Sequence, residues 1–433
     1  MLKKIFLVIA LLLVAGLYLG EPVYQFYAHR GKVPMPFWGY VDIPQDIPSR
    51  NEVHQAEYQQ AAESALTLLK AHRQKINTPG ISAAVAIDGE VVWAGTAGWA
   101  DIADNRPLTP DSQFRIGSTS KALTATLFAR MVQDEKLTLD TPLNQLTLGS
   151  RNPHWQNITP RQLASHTAGL PHYKENTETI GLYRSIALNS SYRDVLDAVA
   201  LFDDSDMLFS PGEDFSYSSY GTVLLSAVLQ ETGGKPYQTL MQEAVLKPLA
   251  MVHTTPTTVS VHAEQEAANL ATFYWREDES LPRVRPWRDV DLSHRLAGGG
   301  FISTPSDLVK LGSGFINNDF ISEPVRAAFW TPQTLNNGDV NEQHYAIGWR
   351  VHDSDLGEGI GKVKIANHGG VSRGSQSWLM VIPQYRMAIA VNINSKTETF
   401  WDFGRISFPL ARTFILSRTS KDQSLSAPLK GEN

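Results

Sequence analysis

Ser118 and Lys121 open an apolar, helix-favouring run, Phe114-Arg115-Ile116-Gly117-Ser118-Thr119-Ser120-Lys121-Ala122-Leu123-Thr124-Ala125, that continues to about Met131. On a helix this spacing stacks the two side chains on one face. A serine hydroxyl becomes a useful nucleophile when a nearby base takes its proton. A lysine amine can be that base only where burial or neighbouring cations pull its pKa down from about 10.4. The helix N-terminus adds a field that favours negative charge developing near Ser118. Ser-x-x-Lys is a short pattern, and most copies start ordinary helices. Its meaning here depends on what else the chain carries.

Two further stretches carry chemistry. Pro211-Gly212-Glu213-Asp214-Phe215-Ser216-Tyr217-Ser218-Ser219-Tyr220-Gly221 is a turn-rich loop leading into the apolar helix Thr222–Gln230. From it Tyr217 would point its hydroxyl into a cleft. A lysine ammonium there would lower the phenol's pKa from about 10 and make it a proton shuttle. The plain alternative is a core tyrosine anchoring the helix. Asn367-His368-Gly369-Gly370-Val371-Ser372-Arg373-Gly374 joins two strand patterns. Its glycines let a substrate lie against backbone, as an edge strand binding a peptide requires. A backbone N–H there would pair with that of Ser118 as an oxyanion hole. The plain alternative is a glycine-rich hairpin.

Other patterns are set aside. Gly370-x-Ser372-x-Gly374 matches a nucleophile elbow, but that motif needs a strand–turn–helix with a histidine further along. Here a strand follows, and no histidine stands after residue 372. His166 and His172 lack a third ligand at metal spacing and no His-Glu-x-x-His occurs, so His166 reads as structural. Asp203-Asp204-Ser205-Asp206 lacks the spaced ligands of a calcium loop and reads as a solvated turn.

The elements that must hold these groups are legible as patterns. Asn51 caps a predicted helix to about Lys75, stopped by Thr78-Pro79-Gly80. Ile81–Ile87 and Glu90–Ala97 are strands joined by Asp88-Gly89, a hairpin signal. From Ser118 to about residue 340 the patterns are mostly helical. Strands return at Tyr345–His352, Val363–Asn367, Gln376–Ile382 and Met387–Ile393, and a last amphipathic helix runs from about Glu398 to Leu416. The expectation is an α+β fold, an α/β sandwich. One antiparallel sheet is built from both chain ends and covered by helices, with a mostly helical subdomain inserted within about 118–340.

Composition narrows the class. A chain of 433 residues that is 42% hydrophobic can bury an ample core in one large domain. Net charge of −6 without a basic stripe argues against nucleic acid as a partner. With no cysteine, thiolate metal sites, cysteine nucleophiles, disulfides and a lipoprotein-type start are excluded. Lys3 and Lys4 precede an uncharged run from Ile5 to Gly20, so 1–20 reads as a signal segment or short anchor with the lysines cytoplasmic. The run is short for a full span, and Val23, Tyr24, Phe26 and Tyr27 would extend it through the interface. Val14-x-Gly16 is its best cleavage pattern. An uncleaved anchor is expected, with a cleaved signal as the alternative. Residues 21–50, with Pro34, Pro36, Pro44 and Pro48, form a predicted extended tether. Phe37, Trp38 and Tyr40 would pack on the domain or rest at the membrane surface. The folded domain is expected over 51–418 and a polar tail over 419–433, all extracytoplasmic, at the periplasmic face of a bacterial inner membrane.

Together the three chemical stretches resemble, in order and separation, the serine β-lactamase-like and penicillin-binding superfamily. The resemblance covers about residues 52–418. It leans toward the branch of class C β-lactamases, D-Ala-D-Ala carboxypeptidases, esterases and D-aminopeptidases, and a mitochondrial β-lactamase-like protease. Leu163-Ala164-Ser165-His166-Thr167-Ala168-Gly169-Leu170-Pro171, Gly298-Gly299-Gly300-Phe301-Ile302-Ser303-Thr304-Pro305-Ser306-Asp307-Leu308 and Ile347-Gly348-Trp349 are further family-like phrases. The resemblance implies Ser118 as acylated nucleophile, Lys121 as its proton partner, and Tyr217 as general base and then acid. His368-Gly369-Gly370 is similar to the family's Lys-Thr-Gly strand motif in its His-x-Gly form, with Val371 supplying the second oxyanion N–H beside Ser118. Two positions depart from the pattern. Ser219 stands where asparagine is usual, and His368 replaces the lysine of true class C β-lactamases. A peptidase or esterase fits these departures better than an antibiotic-resistance enzyme. A true β-lactamase, a D-Ala-D-Ala carboxypeptidase and a non-catalytic scaffold remain the alternatives. The resemblance implies a small-molecule or peptide substrate and neither metal nor organic cofactor. Oligomeric state is left open.

Overall fold

In the computed structural model residues 2–257 and 269–426 are described. The chain opens with helix α1 (Leu2–Ala28), and Lys3–Ala28 is long and apolar enough to cross a bilayer. Large apolar side chains from Ile5 to Leu19 are exposed, whereas Pro22 and Ala28 are buried on the folded part. The predicted tether is therefore not a free spacer. Its first residues continue α1, Val41–Asp42 pairs with Val284 and Arg283, and Ser49 begins a strand of the main sheet. Phe37 and Trp38 are exposed, while Tyr40 packs under the Arg283 guanidinium at 4.8 Å.

That strand is β1 (Ser49–Val53), followed by helix α2 (Gln59–Lys75). The helix predicted from Asn51 thus begins later, because Asn51 is claimed by the sheet. It lies opposite Gly95, and its side-chain oxygen accepts from the Trp93 indole at 2.7 Å. An edge strand with little buried surface leaves no clear alternation in its sequence. Strands β2 (Gly80–Ile87) and β3 (Glu90–Asp101) form the expected hairpin. Asp88 and Gly89 take φ of 53° and 97°, the pair of positive values that a tight two-residue turn needs.

The middle of the chain supplies α3 (Ser120–Gln133), α4 (Thr179–Ala187), α5 (Ser219–Gly233) and α6 (Pro305–Ile316). Helix α3 is buried nearly all round from Ser120 to Ala129, the lot of a helix without a polar stripe. The chain then returns to the sheet with β4 (Arg350–Asp355), β5 (Lys362–Ser372), β6 (Ser375–Ile382) and β7 (Met387–Ile393). The strand predicted from Tyr345 starts at Arg350 instead. Asn341 captures Tyr345 first, accepting from its N–H at 2.8 Å and donating to its carbonyl at 2.7 Å. The final predicted helix is split into Phe400–Gly404 and α7 (Ser407–Ser426). Pro409 explains the break, since it is tolerated in a first turn but not deep within a helix. The predicted polar tail is helical through Ser426; 427–433 lie outside the described residues.

The strands form one antiparallel sheet in the order β4–β5–β6–β7–β2–β3–β1, with Arg106–Pro107 hung on β3. The two chain ends meet where β7 pairs with β2, Val391 opposite Ala83. One core joins α2 and α7 to one face of the sheet. A larger core joins α3, α5 and α6 to the other face. The architecture is the expected sandwich. One consequence bears on the site: β4 pairs with β5 only from Lys362 to Asn367, so among the described residues His368–Ser372 has no partner strand on that side. This open stretch of β5 packs against the turn that carries Ser118.

Candidate active site

Ser118 sits in a single turn of tighter helix, Gly117–Thr119, immediately before α3. The turn is pinned from both sides. Ile116 N–H donates to the Phe301 carbonyl at 3.1 Å, and Arg115 donates to the Arg373 carbonyl at 2.9 Å. Gly117 adopts φ of 51°, and a Cβ there would lie 2.8 Å from the Val371 nitrogen. A Cβ at Gly370 would lie 1.8 Å from the Ile116 carbonyl oxygen. Two glycines therefore let the serine turn and the open edge of β5 touch backbone to backbone. This brings the Ser118 and Val371 segments together, as an oxyanion pair requires.

Lys121 reaches back from the first turn of α3 to Ser118, Nζ to Oγ 3.3 Å. Its Nζ also donates to Ser219 Oγ at 2.9 Å and to the Gly298 carbonyl at 2.7 Å. Burial pulls its pKa down to about 7, against the nearby Tyr173 phenol and with help from Arg350 and Arg295. In the neutral amine two N–H groups satisfy Ser219 and Gly298, which leaves the lone pair for the Ser118 hydroxyl proton. The site can thus generate an alkoxide nucleophile near neutral pH.

Tyr217 lies across the cleft. Its ring centroid is 4.8 Å from Lys121 Nζ, and its hydroxyl interacts with the Ser118 hydroxyl. The expected lowering of its pKa is not found. Burial raises it, outweighing Arg350 and the Ser118 contact, so the phenol keeps its proton at neutral pH. Desolvation penalises the phenolate more than the Arg350 charge and the Ser118 hydrogen bond reward it.

The loop holding Tyr217 and Ser219 is carried by two neutral imidazoles. Ser218 N–H donates to His166 Nδ1 at 3.3 Å, and Ser219 N–H to His172 Nδ1 at 3.2 Å. An acceptor nitrogen must be unprotonated, and burial keeps both rings so, taking His172 down to about 3. His166 is structural, as its spacing suggested, and His172 shares the task.

His368 lies on the open end of β5, as the motif resemblance implied. Its ring is fully buried, donating from Nδ1 to the Gly369 carbonyl at 2.8 Å and accepting at Nε2 from the Tyr345 hydroxyl at 2.8 Å. Burial, with Arg350 and Lys121 adding to it, drives its pKa well below 6.5. The ring is thus held neutral and braces the strand. The cation that sequence reasoning missed is Arg350, at the first position of β4. Its guanidinium lies 5.6 Å from the Tyr217 ring centroid and 5.1 Å from that of Tyr345. Only its place just after Ile347-Gly348-Trp349 hinted at it. Gly298 was also unassigned, although its glycine run was visible; a Cβ there would lie 3.3 Å from that of Ser219.

A serine activated by a buried lysine, on a helix turn beside an open sheet edge, defines a serine hydrolase working through an acyl-enzyme. Residues 66–405 match the beta-lactamase family, and the chain belongs to that family. The mitochondrial serine beta-lactamase-like protein LACTB of Mus musculus is 25% identical over 421 residues, covering 77% of this chain and 75% of the relative. Penicillin-binding protein 4* of Bacillus subtilis is 24% identical over 320 residues, covering 72% of this chain and 68% of the relative. The D-amino acid amidase of Ochrobactrum anthropi SV3, solved with D-phenylalanine, superposes with a TM-score of 0.66 at 20% identity, covering 84% of this chain and all of that one.

Proposed function

We propose that the chain is a membrane-anchored, extracytoplasmic hydrolase that opens amide or ester bonds through an acyl-Ser118 intermediate, as a peptidase or esterase. The observation that carries this reading is the Lys121 amine, buried, brought to a pKa of about 7 and 3.3 Å from Ser118 Oγ. Lys121 takes the Ser118 proton as Oγ attacks the carbonyl carbon. The backbone N–H groups of Ser118 and Val371 hold the oxyanion. On collapse Tyr217 gives its proton to the departing amine or alcohol and recovers one from Lys121. Water then cleaves the acyl-serine, returning one proton to Ser118. The open His368–Ser372 edge suits an extended peptide-like acyl donor.

A neutral, buried His368 in place of the lysine of class C β-lactamases and Ser219 in place of an amide both support a peptidase or esterase over a class C-like β-lactamase. The solved relative is by name an amidase for D-amino acids, and amides are one of the two bond types proposed. Lys3 and Lys4 at the start of a helix long and apolar enough to cross a bilayer support anchoring with the domain outside the cytoplasm.

The test is covalent labelling of the purified chain with a fluorophosphonate and with a labelled penicillin, followed by peptide mapping. The fluorophosphonate adduct is expected on Ser118 and lost in Ser118→Ala. D-amino-acid amides or short-chain esters should turn over faster than nitrocefin. An adduct on Ser372, or none anywhere, overturns the reading; nitrocefin as the best substrate would make it a β-lactamase.

A further inference from the structure

A cavity of about 770 Å³ lies beside the catalytic cleft, between the C-terminal end of α1 and the turn joining β5 to β6. It reaches Val371, whose backbone abuts the Ser118 turn, so the two spaces adjoin. Arg30, Arg288, Arg373 and Lys396 line it. Among the described residues none of these four forms an ion pair. Arg288 donates to the Ala187 and Asp289 carbonyls, and Arg30 stacks on the Phe26 ring at 3.4 Å. Three of the four carboxylates at the rim are engaged elsewhere. Glu277 pairs with Arg283, Glu279 with Arg276, and Asp278 accepts from Ser280. The cost of this crowding is visible. Burial, then Arg295, Arg30 and Arg288, pull Arg373 down to about 9, and Lys396 is lowered by burial, Arg30 and Arg373. Like charges crowded together with no ion-pair partner among the described residues are the preparation for an anion.

Where that anion comes from is indicated by the opposite wall. His29, directly after α1, stacks on Trp287 at 3.7 Å and sits edge-on to Trp275 at 5.5 Å, so the end of the apolar helix is built into the cavity. Further up α1, the Leu19 carbonyl accepts from the Tyr183 hydroxyl of α4 at 3.2 Å, and Ile180 beside it is 61% exposed. The domain is therefore held against the membrane end of its own anchor. Phe37 and Trp38, 89% and 61% exposed, are of the type that settles in the headgroup layer. His29 and Arg30 precede the family-matched segment, which begins at residue 66.

We propose that this cavity is the headgroup subsite for an anionic bilayer amphiphile, with a phosphate or carboxylate seated among Arg30, Arg288, Arg373 and Lys396 and the apolar chain lying along α1. It deepens the hydrolase reading in one respect, since such a ligand would carry its scissile bond toward Ser118.

The test is quenching of tryptophan fluorescence, with the full chain in vesicles containing brominated phosphatidylglycerol or brominated phosphatidylcholine. Ser118→Ala is used in parallel so that binding is read without turnover. Quenching should be at least twofold greater with the anionic lipid. The excess should vanish in Trp287→Phe and in both Arg288→Gln and Arg30→Gln, while an equal quench from both lipids persists. Equal quenching by the two lipids, or an excess untouched by these three changes, overturns the proposal. If inorganic phosphate at millimolar concentration abolishes the excess, the ligand is a soluble phosphate and the membrane source is refuted. Turnover of a neutral nitrophenyl ester in the same vesicles reports separately on the hydrolase. Its loss with the lipid excess intact would count against Ser118 chemistry alone.

Discussion

In the proposed mechanism Lys121 is the residue on which the chemistry turns, because burial lowers its pKa to about 7 and would make it a base. A group lowered to about 7 is protonated and inactive below that pH and free above it. The rate of acylation by a fluorophosphonate should therefore rise with pH through about 7 and level off. Lys121→Ala should lower it by about 10²–10⁴-fold, the usual worth of a placed general base. Lys121→Arg should not restore it, since a guanidinium stays charged. Stopped-flow labelling from pH 5.5 to 9 checks this, and a flat profile would remove Lys121 from the proton transfer. The neighbouring residues make the same point in reverse. Tyr217 holds its proton and His368 stays neutral because the desolvation that unloads Lys121 also opposes their charged forms.

At the scale of elements, the site is a contact between the start of α3 and the unpaired end of β5. It exists only because Gly117 and Gly370 carry no side chain. Gly370→Ala should push the strand off the Ile116 carbonyl, costing about 1–3 kcal/mol by overpacking. It should also abolish acylation, by separating the Val371 N–H from that of Ser118. Ser372→Ala, two residues further on, should leave both stability and labelling near wild type. Thermal unfolding and adduct mass read the two variants together; an active Gly370→Ala would mean the oxyanion is held elsewhere. The same edge is open because β4 begins only at Arg350, opposite Asn367, so substrate access is a property of strand length.

For the whole molecule, buried neutral histidines tie stability to pH. His172 is taken down to about 3 and His29 to about 4, and His166, His294 and His368 also lie well below 6.5, burial being the chief cause for each. In the unfolded chain these rings bind protons near pH 6.5. As pH falls from 6.5 toward 4, the unfolded state takes up more protons than the folded one. The stability present above pH 6.5 is then lost in this window, by roughly 1.4 kcal/mol per pH unit for each proton bound only when unfolded. Carboxylates, with ordinary values near 4, contribute little above pH 5. Melting temperatures at pH 7.5, 6.5 and 5.5 should fall in that order, and His172→Gln should flatten the fall. Constant melting temperatures would mean that the rings take up protons while folded.

What the sequence determined by itself lies within a few residues of each signal. The Ser118–Lys121 stacking follows from helical geometry, the β2–β3 hairpin from Asp88-Gly89, and the inner strands from unbroken apolar runs. The departures from the family pattern at Ser219 and His368 were visible as residue types, as were the glycines of the β5 stretch. Tertiary structure decided what those residues became. Lys121 owes its state to Ser219 and Gly298, 98 and 177 residues away, and to the burial they complete. Asn51 went to a strand because β3 offered it pairing, and Tyr345 left its predicted strand because Asn341 held it. Arg350 was hinted at only by its place after Ile347-Gly348-Trp349, and neither the support that His166 and His172 give the Tyr217 loop nor the gathering of the arginines beside α1 carries a local mark. Periodicity and turn chemistry act over a turn or two of chain, whereas desolvation and charge act through space, and only the folded chain sets those distances.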